Sequence, residues 1–336
     1  MRFSGPGQPY EGLASRIDEG LGLARSGWTG KVAFIEKHLL DPLKWGPVIS
    51  EEGVPETSLL PALPRTRRIF VNSMSDLFHE SVPNEWIDRI FAVMALCPQH
   101  HFQVLTKRPE RMLAYFKMVL EEKDMQRWIN QVPSLIDGLS GKKGAAEKLG
   151  AEIEAWEFPL LNVWLGVSVE NQAAADERIP LLLQTPAAMR FLSCEPLLGA
   201  VDLSCVPWPA DHLHGIDGLN SDGFDALRLD DRNSLAQLAH LDWVIAGGES
   251  GPGARPMHPD WARGLRDQCK AASVPFFFKQ WGEWLPYGQA PKTMLTTVKP
   301  DQSLGWPMYR IGKKVAGSYL NGELHKEFPE VPDANS

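Results

Sequence analysis

The stretch WVIAGGESGPGARP, residues 243–256, joins an apolar run to a glycine-rich turn that carries the acidic residue Glu249. Gly247 and Gly248 have no side chains, so the backbone beside Glu249 can approach a ligand closely or adopt a positive φ. Ser250 adds a hydroxyl group directly after the carboxylate. No Gly-Lys-Ser/Thr follows, as a P-loop requires, and the GxGxxG pattern is missing. We therefore predict a ligand-binding turn of another kind, with Glu249 as its reactive group.

Three further carboxylates follow other apolar runs in the same way. Asp76 comes shortly after one run, Glu170 lies at the end of a second, and Glu195 ends a third. A positioned carboxylate can accept or donate a proton, or bind a divalent metal ion. We predict Glu249, Glu195, Glu170 and Asp76 as the catalytic residues, and the sequence assigns no set of metal ligands.

Cationic, amide and hydroxyl side chains occupy many of the remaining positions at the ends of the apolar runs. Cations suit a carboxylate or phosphate on a ligand, whereas amides and hydroxyls suit its hydroxyl and amino groups. Any single one of these residues could equally cap a helix or begin a turn. Their recurrence after six runs favours a shared site. The predicted ligand-binding residues are Asn72, Ser73, Lys107, Arg108, Asn171, Gly247, Gly248, Ser250, Lys279 and Gln280.

The elements that must position these residues alternate along the chain. Segments with helical spacing of apolar residues, such as 83–97 and 109–120, separate short runs that are apolar on both faces. This order indicates a parallel sheet covered by helices, and ligands bind at the carboxyl ends of the strands in such folds. The predicted fold is α/β, a partial (β/α) barrel of about six parallel strands with outer helices and two insertions. The predicted strands lie within residues 68–74, 101–108, 162–171, 189–198, 241–250 and 274–282.

Composition shifts divide the chain into three predicted parts. Residues 1–66 are rich in glycine and proline and form an N-terminal segment, and residues 67–290 form the partial barrel. Two stretches, 121–158 and 205–240, read as insertions on the barrel framework because they lengthen the intervals between strands. Residues 291–336 are expected to form a C-terminal covering segment.

The bulk composition narrows the classes of function. The 336 residues carry a formal net charge of −8, which gives no support for a nucleic-acid partner. No apolar run approaches the roughly 20 residues that span a bilayer, so no membrane partner is expected. Four cysteines without a CxxC pair, and the lack of a signal peptide, indicate a cytoplasmic setting. Cys194 follows an apolar run but has no nearby histidine, so we interpret it as a core residue rather than a nucleophile.

Several long stretches resemble a known family. RRIFVNSMSDLFHE, LLNVWLGVSVENQAAADERIPLLLQTPAAMRFLSCEPLLG and LDWVIAGGESGPGARPMHPDW are similar to the phage gp-thirty-seven/gp-sixty-eight family, a domain of unknown function. Members look like distant relatives of radical SAM enzymes and carry an N-terminal three-cysteine motif. The resemblance implies S-adenosylmethionine and a [4Fe–4S] cluster as cofactors of full-length relatives. The three-cysteine motif is missing from this chain, so Met1 is expected to be a misplaced start or the mark of a truncated relative.

Three functions follow from these observations. The resemblance implies a radical-SAM-like enzyme of the phage or prophage type, or a truncated and inactive form of one. The carboxylates alone are equally consistent with a non-radical barrel enzyme that uses them directly or through a metal ion. A protein that binds a nucleoside-type small molecule without turning it over is the third alternative. Under the first of these functions the polar strand ends suit the amino, carboxylate and ribose hydroxyl groups of an adenosyl ligand.

Overall fold

The chain forms two compact units, which we describe separately. The first unit comprises Met1–Arg67, His79–His100 and Met125–Trp156; the second comprises Arg68–Phe78, His101–Asp124 and Glu157–Ser336. The computed structural model describes residues 14–17, 25–28, 34–44, 67–72, 75–121, 125–140, 158–207, 225–227, 240–289, 301 and 305–330.

Strands and helices alternate through most of the described chain. The strands are β1 (Ala14–Ile17), β2 (Arg25–Trp28), β3 (Arg68–Val71), β4 (His101–Thr106), β5 (Val163–Ser168), β6 (Met189–Cys194), β7 (Trp243–Gly247), β8 (Phe276–Gln280), β9 (Trp284–Pro286), β10 (Met308–Arg310), β11 (Tyr319–Leu320) and β12 (Glu323–Leu324). The helices are α1 (Glu36–Leu39), α2 (Asp41–Lys44), α3 (Asn84–Ala95), α4 (Pro109–Glu121), α5 (Gln126–Ile129), α6 (Val132–Ser140), α7 (Gln172–Gln184), α8 (Pro259–Ala272) and α9 (Lys313–Ala316), with a 3-10 turn at Tyr287–Gln289.

A six-stranded parallel sheet organises the second unit. Its strands follow one another in the order β3-β4-β5-β6-β7-β8, and every neighbouring pair is parallel. The sheet curls into a half-barrel with helices around it, which confirms the predicted α/β partial barrel. Because all six strands are parallel, their carboxyl ends lie at one edge of the sheet.

The two faces of this sheet carry different residues because side chains alternate along a strand. The outer face is covered by α7, which packs on β5, and by α8, which packs on β7 and β8. The inner face carries an apolar cluster in which Leu105 and Phe277 also take part. Gly166 leaves room there for the ring of Phe191, since a Cβ at position 166 would lie 2.6 Å from that ring. The buried members of the cluster are Trp164, Met189, Phe191, Trp243 and Ile245.

The first unit is helical where the structure describes it, apart from the β1–β2 hairpin. Helix α3 packs against α5 and α6, and the rings of Phe91 and Trp128 stack at 5.1 Å. The buried Asp88 receives two hydrogen bonds from Arg127, at 3.1 and 2.8 Å. Helices α5 and α6 therefore fold from part of the segment that the sequence marks as the insertion 121–158.

Several predicted segments are described only in part. Residues 122–124 and 141–157 of the first predicted insertion lie outside the described residues, as do most of 205–240 and most of the N-terminal segment 1–66. In the C-terminal segment 291–336, β10 pairs with β9 and β11 pairs with β12, both antiparallel. The predicted boundaries of the three parts stay predictions.

Candidate functional site

The described members of the predicted site lie at the carboxyl edge of the six-stranded sheet. Asn72 follows β3 with a φ of 56°, and its carbonyl accepts a hydrogen bond from Ser75 N at 3.0 Å. Lys107 and Arg108 follow β4, whereas Lys279 and Gln280 end β8. Ser73 lies outside the described residues. These residues therefore share one edge of the sheet.

Asp76 joins the loop after β3 to the end of β4. Its carboxylate accepts hydrogen bonds from Phe78 N at 2.9 Å and Thr106 Oγ1 at 2.7 Å. It also accepts bonds from Lys107 N and from Arg108 Nη1, both at 3.0 Å. Four donors leave little capacity for a substrate, so the geometry gives Asp76 a structural task in this state. Its predicted catalytic role stays a prediction.

Glu170 lies between two cations at the end of β5. Lys107 Nζ pairs with one carboxylate oxygen, and Arg178 Nη1 donates to the other at 3.0 Å. Arg178 Nη1 also donates to the carbonyl of Ser168 at 2.8 Å, which anchors it to the strand. Burial opposes ionisation, but the hydrogen bond and charge of Lys107 and the charge of Arg178 outweigh it and lower the pKa of Glu170. Glu170 is therefore held as an ionised carboxylate at neutral pH.

Asn171 has a local structural role. Its side chain accepts a hydrogen bond from Ala174 N at 3.1 Å and so caps the N-terminus of α7. This is the alternative that the sequence left open for any single polar residue after a strand. The cap uses one of the two lone pairs of the Asn171 oxygen, so the amide nitrogen and the second lone pair stay available to a ligand.

Glu195 follows β6 and lies over the inner face of the sheet. Lys279 Nζ donates to its carboxylate at 2.9 Å, and Ser193 Oγ lies 3.5 Å from the same oxygen. A Cβ at position 247 would lie 2.5 Å from Glu195 Oε1, so Gly247 provides the space that this carboxylate occupies. The presence of glycine at position 247 is thus explained by the side chain of Glu195 rather than by a ligand.

Gly248 permits a close crossing of two backbone segments. A Cβ at this position would lie 1.9 Å from the carbonyl oxygen of Trp281. Gly282, with a φ of +80°, makes the reciprocal approach, since its Cβ would lie 2.0 Å from the carbonyl oxygen of Glu249. The backbone hydrogen bonds from Gly248 N to Gln280 O and from Glu283 N to Glu249 O, both 2.9 Å, fix the crossing. Gly248 is therefore required for packing.

Glu249 forms the most complete ion pair at this edge. Arg255 donates from Nε at 2.8 Å and from Nη2 at 3.0 Å, and its backbone N–H adds a third bond at 2.7 Å. The hydrogen bonds and charge of Arg255 lower the pKa of Glu249. The pair is exposed, with 59% of the Arg255 side chain and 27% of the Glu249 side chain accessible. Beside it, Gln280 Nε2 donates to Ser250 Oγ at 2.9 Å.

The edge is thus a row of carboxylates, each with a cation. Asp76 pairs with Arg108, and the other three pairs involve Glu170, Glu195 and Glu249. Sequence reasoning missed Arg178 and Arg255. Arg178 lies eight residues after Glu170 within α7, and Arg255 lies six residues after Glu249 across the glycine turn, so both were within reach of their partners along the chain.

The cysteines do not form a cluster site. Cys194 and Cys269 are buried on the outer side of the sheet, and Cys205 is exposed. Burial raises the pKa of Cys97 and of Cys269 to about 12, and raises that of Cys194 as well. Among the residues described, no group of three or more His, Cys, Asp or Glu side chains could hold a metal ion. These thiols therefore do not fit the ligand set of an iron–sulfur cluster, and Cys194 fits the core interpretation.

A cavity of about 1310 Å³ lies at the opposite, amino-terminal edge of the sheet. Met189, Asp242 and Phe276 line it, and each stands at or next to the start of a strand. This cavity is not the predicted site, whose polar side chains occupy the carboxyl edge. In the described ranges, no helix is both long enough and apolar enough to cross a membrane.

A family model matches nearly the whole chain. The family is described as a protein of unknown function, DUF5131, and the match covers residues 10–329. No curated protein and no solved structure matches the chain.

Proposed function

We propose that this chain, which belongs to the DUF5131 family, binds a small zwitterionic ligand of the nucleoside type at the carboxyl edge of its sheet, with S-adenosylmethionine as the first candidate. The observation that carries the proposal is the exposed ion pair between Glu249 and Arg255. It presents an anion and a cation side by side where six strand ends meet. The carboxylate and the ammonium group of an amino acid carry the two complementary charges.

The chemistry is an exchange of ion pairs. The carboxylate of the ligand pairs with the guanidinium of Arg255, and the ammonium group of the ligand pairs with the carboxylate of Glu249. An exposed salt bridge contributes about 0–1 kcal/mol, and its bidentate geometry places this one toward the upper end of that range, so the charges of the ligand must replace the bonds that it opens. The lowered pKa values of Glu249 and Glu170 keep both ionised at neutral pH. That form suits an ammonium group and is poorly suited to proton donation, which favours binding over general acid catalysis.

The remaining polar groups suit the rest of such a ligand. Lys107 and Lys279 have about half of their side chains exposed, 51% and 53%, while they hold Glu170 and Glu195. Each ammonium has three donors, so each can contact a carboxylate or phosphate in addition to its partner. The hydroxyl of Ser250 suits a ribose hydroxyl group.

The resemblance to the phage gp-thirty-seven/gp-sixty-eight family supports the adenosyl part of the proposal. It implies a radical-SAM-like protein of the phage type, and we include that relationship in the proposal, together with the cytoplasmic setting that the cysteine content indicates. The cysteines of the chain do not fit a cluster site within the described residues. We therefore assign ligand binding to these residues and derive no radical step from them.

Isothermal titration calorimetry with S-adenosylmethionine tests the proposal, with S-adenosylhomocysteine, adenosine and methionine as separate probes. We expect Arg255→Gln and Glu249→Gln each to weaken binding about tenfold, the equivalent of about 1.4 kcal/mol. Asp267→Asn is the control, because Asp267 pairs with Arg266 on the outer helix α8. Binding that survives both variants unchanged, or no binding of any probe, would contradict the proposal.

A further inference from the structure

A short C-terminal segment, residues 325–328, runs antiparallel along the edge strand β8; we call it the strap. Phe278 N donates to the carbonyl of His325 at 2.9 Å, and Glu327 N donates to the carbonyl of Phe276 at 3.3 Å. The side chain of Glu327 accepts a third bond from Phe276 N at 3.0 Å. The strap therefore pairs with backbone groups that an edge strand otherwise leaves open.

The strap also crosses the inner face of the half-barrel. The indole N–H of Trp243 on β7 donates to Glu327 O at 2.9 Å. The ring of Phe328 lies 5.0 Å from Trp243 and 5.2 Å from Phe277 on β8. On its other side the guanidinium of Arg68, on β3, lies 3.9 Å from the centre of the Phe328 ring. Since β3 and β8 are the two outermost strands of the sheet, Phe328 connects its opposite edges.

The strap is linked to the candidate site by Lys326. Its Nζ donates to the carbonyl oxygens of Phe278 and Lys279, the latter at 3.1 Å, and lies 4.4 Å above the ring of Phe277. The side chain of Lys279 in turn holds Glu195 at 2.9 Å. Lys326 thus fixes the backbone from which Lys279 reaches the site.

We infer that the strap is a closing element of the half-barrel: it connects β3 to β8 across the open side and positions Lys279 against Glu195. The closure stands on the contacts alone, whereas the effect on a ligand rests on the proposed function. A curled sheet of six strands has two free edges, and the strap contacts both. The family match extends to residue 329 and so includes the strap.

Hydrogen–deuterium exchange of the intact chain, read by mass spectrometry, tests the closure. We expect Phe328→Ala to raise the exchange rates of peptides that contain 276–280 and, across the open side, 68–71, each at least about tenfold because these elements open locally. Tyr319→Ala is the matched control, since this aromatic side chain is 57% exposed and outside the strap. An unchanged rate in 68–71 would overturn the closure.

Arg68→Gln gives an independent test that leaves the apolar contacts of the strap in place. It removes the guanidinium from Phe328, so it must raise exchange within 325–328, a segment distant in sequence. If it leaves that segment unchanged, the two edges are not coupled through the strap.

A ligand titration tests the positioning role. We expect Lys326→Gln to weaken binding of S-adenosylmethionine about threefold to tenfold, because it removes the charged donor that holds the backbone of Lys279 and also a positive charge that acts on Glu195. Lys326→Arg must restore most of the affinity, and equal affinity in all three proteins would overturn the role. If the wild-type chain binds no S-adenosylmethionine, the proposed function and this role fail together, while the exchange experiment still decides the closure.

Discussion

The two halves of the inner face of the sheet differ sharply in what their side chains do. Toward the amino ends, Trp164 and Trp243 are buried with exposures of 1% and 3%, and their rings meet edge to face at 6.0 Å. Toward the carboxyl ends, Glu195 and Lys279 form an ion pair in which 17% and 53% of the side chains are accessible. One half is packed to stabilise the fold, and the other retains ion pairs, which contribute less to stability than buried aromatic side chains do.

The difference originates within single strands. Strand β8 begins with Phe276 and ends with Lys279 and Gln280, and β7 begins with Trp243 and ends with Gly247. In these two strands an aromatic residue stands at the amino end, and polar residues or glycine stand at the carboxyl end, where the predicted site lies. This division predicts that the stability of the fold and the proposed ligand binding can be changed by different substitutions.

The largest effect is expected in the packed half. Trp243→Ala should lower the free energy of unfolding by about 3–5 kcal/mol, because it removes a buried indole and leaves a cavity. It also removes the hydrogen bond from the indole N–H to Glu327 O. Urea unfolding measures the loss, and Tyr319→Ala, at an exposed ring, should change the free energy by less than about 0.5 kcal/mol. If Trp243→Ala and Tyr319→Ala lowered the free energy of unfolding equally, the contrast between packed and exposed aromatic residues would be contradicted.

Substitution of a glycine at the polar edge should lower the stability about as much as substitution of a packed residue. Gly248→Ala should cost about 3 kcal/mol, because its Cβ would meet the rigid backbone carbonyl of Trp281 at 1.9 Å. Gly264→Ala in α8 is the matched control, since the nearest atom to its Cβ would be a side-chain nitrogen at 4.0 Å. Alanine favours a helix over glycine by about 1 kcal/mol, so the control should be stabilised. Urea unfolding of both variants checks the pair, and a harmless Gly248→Ala would show that the crossing can relax.

The fold could be predicted from the sequence because local pattern determines it. Short apolar runs that alternate with helical periodicity admit few arrangements other than a parallel sheet with outer helices. Residues such as Glu195 and Lys279 could be placed at one edge for the same reason, since each directly follows or ends a run. The carboxyl ends of parallel strands lie at one edge of a sheet regardless of which side chains they carry.

The partners of those residues could not be predicted in the same way. Whether Glu249 meets Arg255 depends on the course of a turn in which Gly251 and Gly253 adopt φ values of 99° and 77°. The contact between Phe328 and Arg68 depends on the curl of the whole sheet, and 260 residues separate the two. The short spacing between Glu249 and Arg255 makes their pairing possible, but the turn that brings them together, like the long-range closure, depends on the complete fold.

The smallest effect is expected for the ion pairs of the polar half, and it should depend on pH. The pKa of Glu170 in the folded chain lies below its usual value of 4.5, so its ionised form stabilises the fold. This contribution is fully present above about pH 4.5 and is lost as the pH falls through the lowered pKa. Glu170→Gln should therefore cost about 1–2 kcal/mol at pH 7, where it weakens charged hydrogen bonds from Lys107 and Arg178.

Urea unfolding of the wild type and Glu170→Gln at a series of pH values measures this dependence. The difference in free energy between them should shrink steadily as the pH falls below about 4.5, because protonation removes the same charge from the wild type. Glu323→Gln, at an exposed carboxylate on β12, should show a difference near zero at every pH. If this difference in the free energy of unfolding stayed constant with pH, packing rather than the charge of Glu170 would account for its contribution. The polar half would then stabilise the fold in the same way as the packed half.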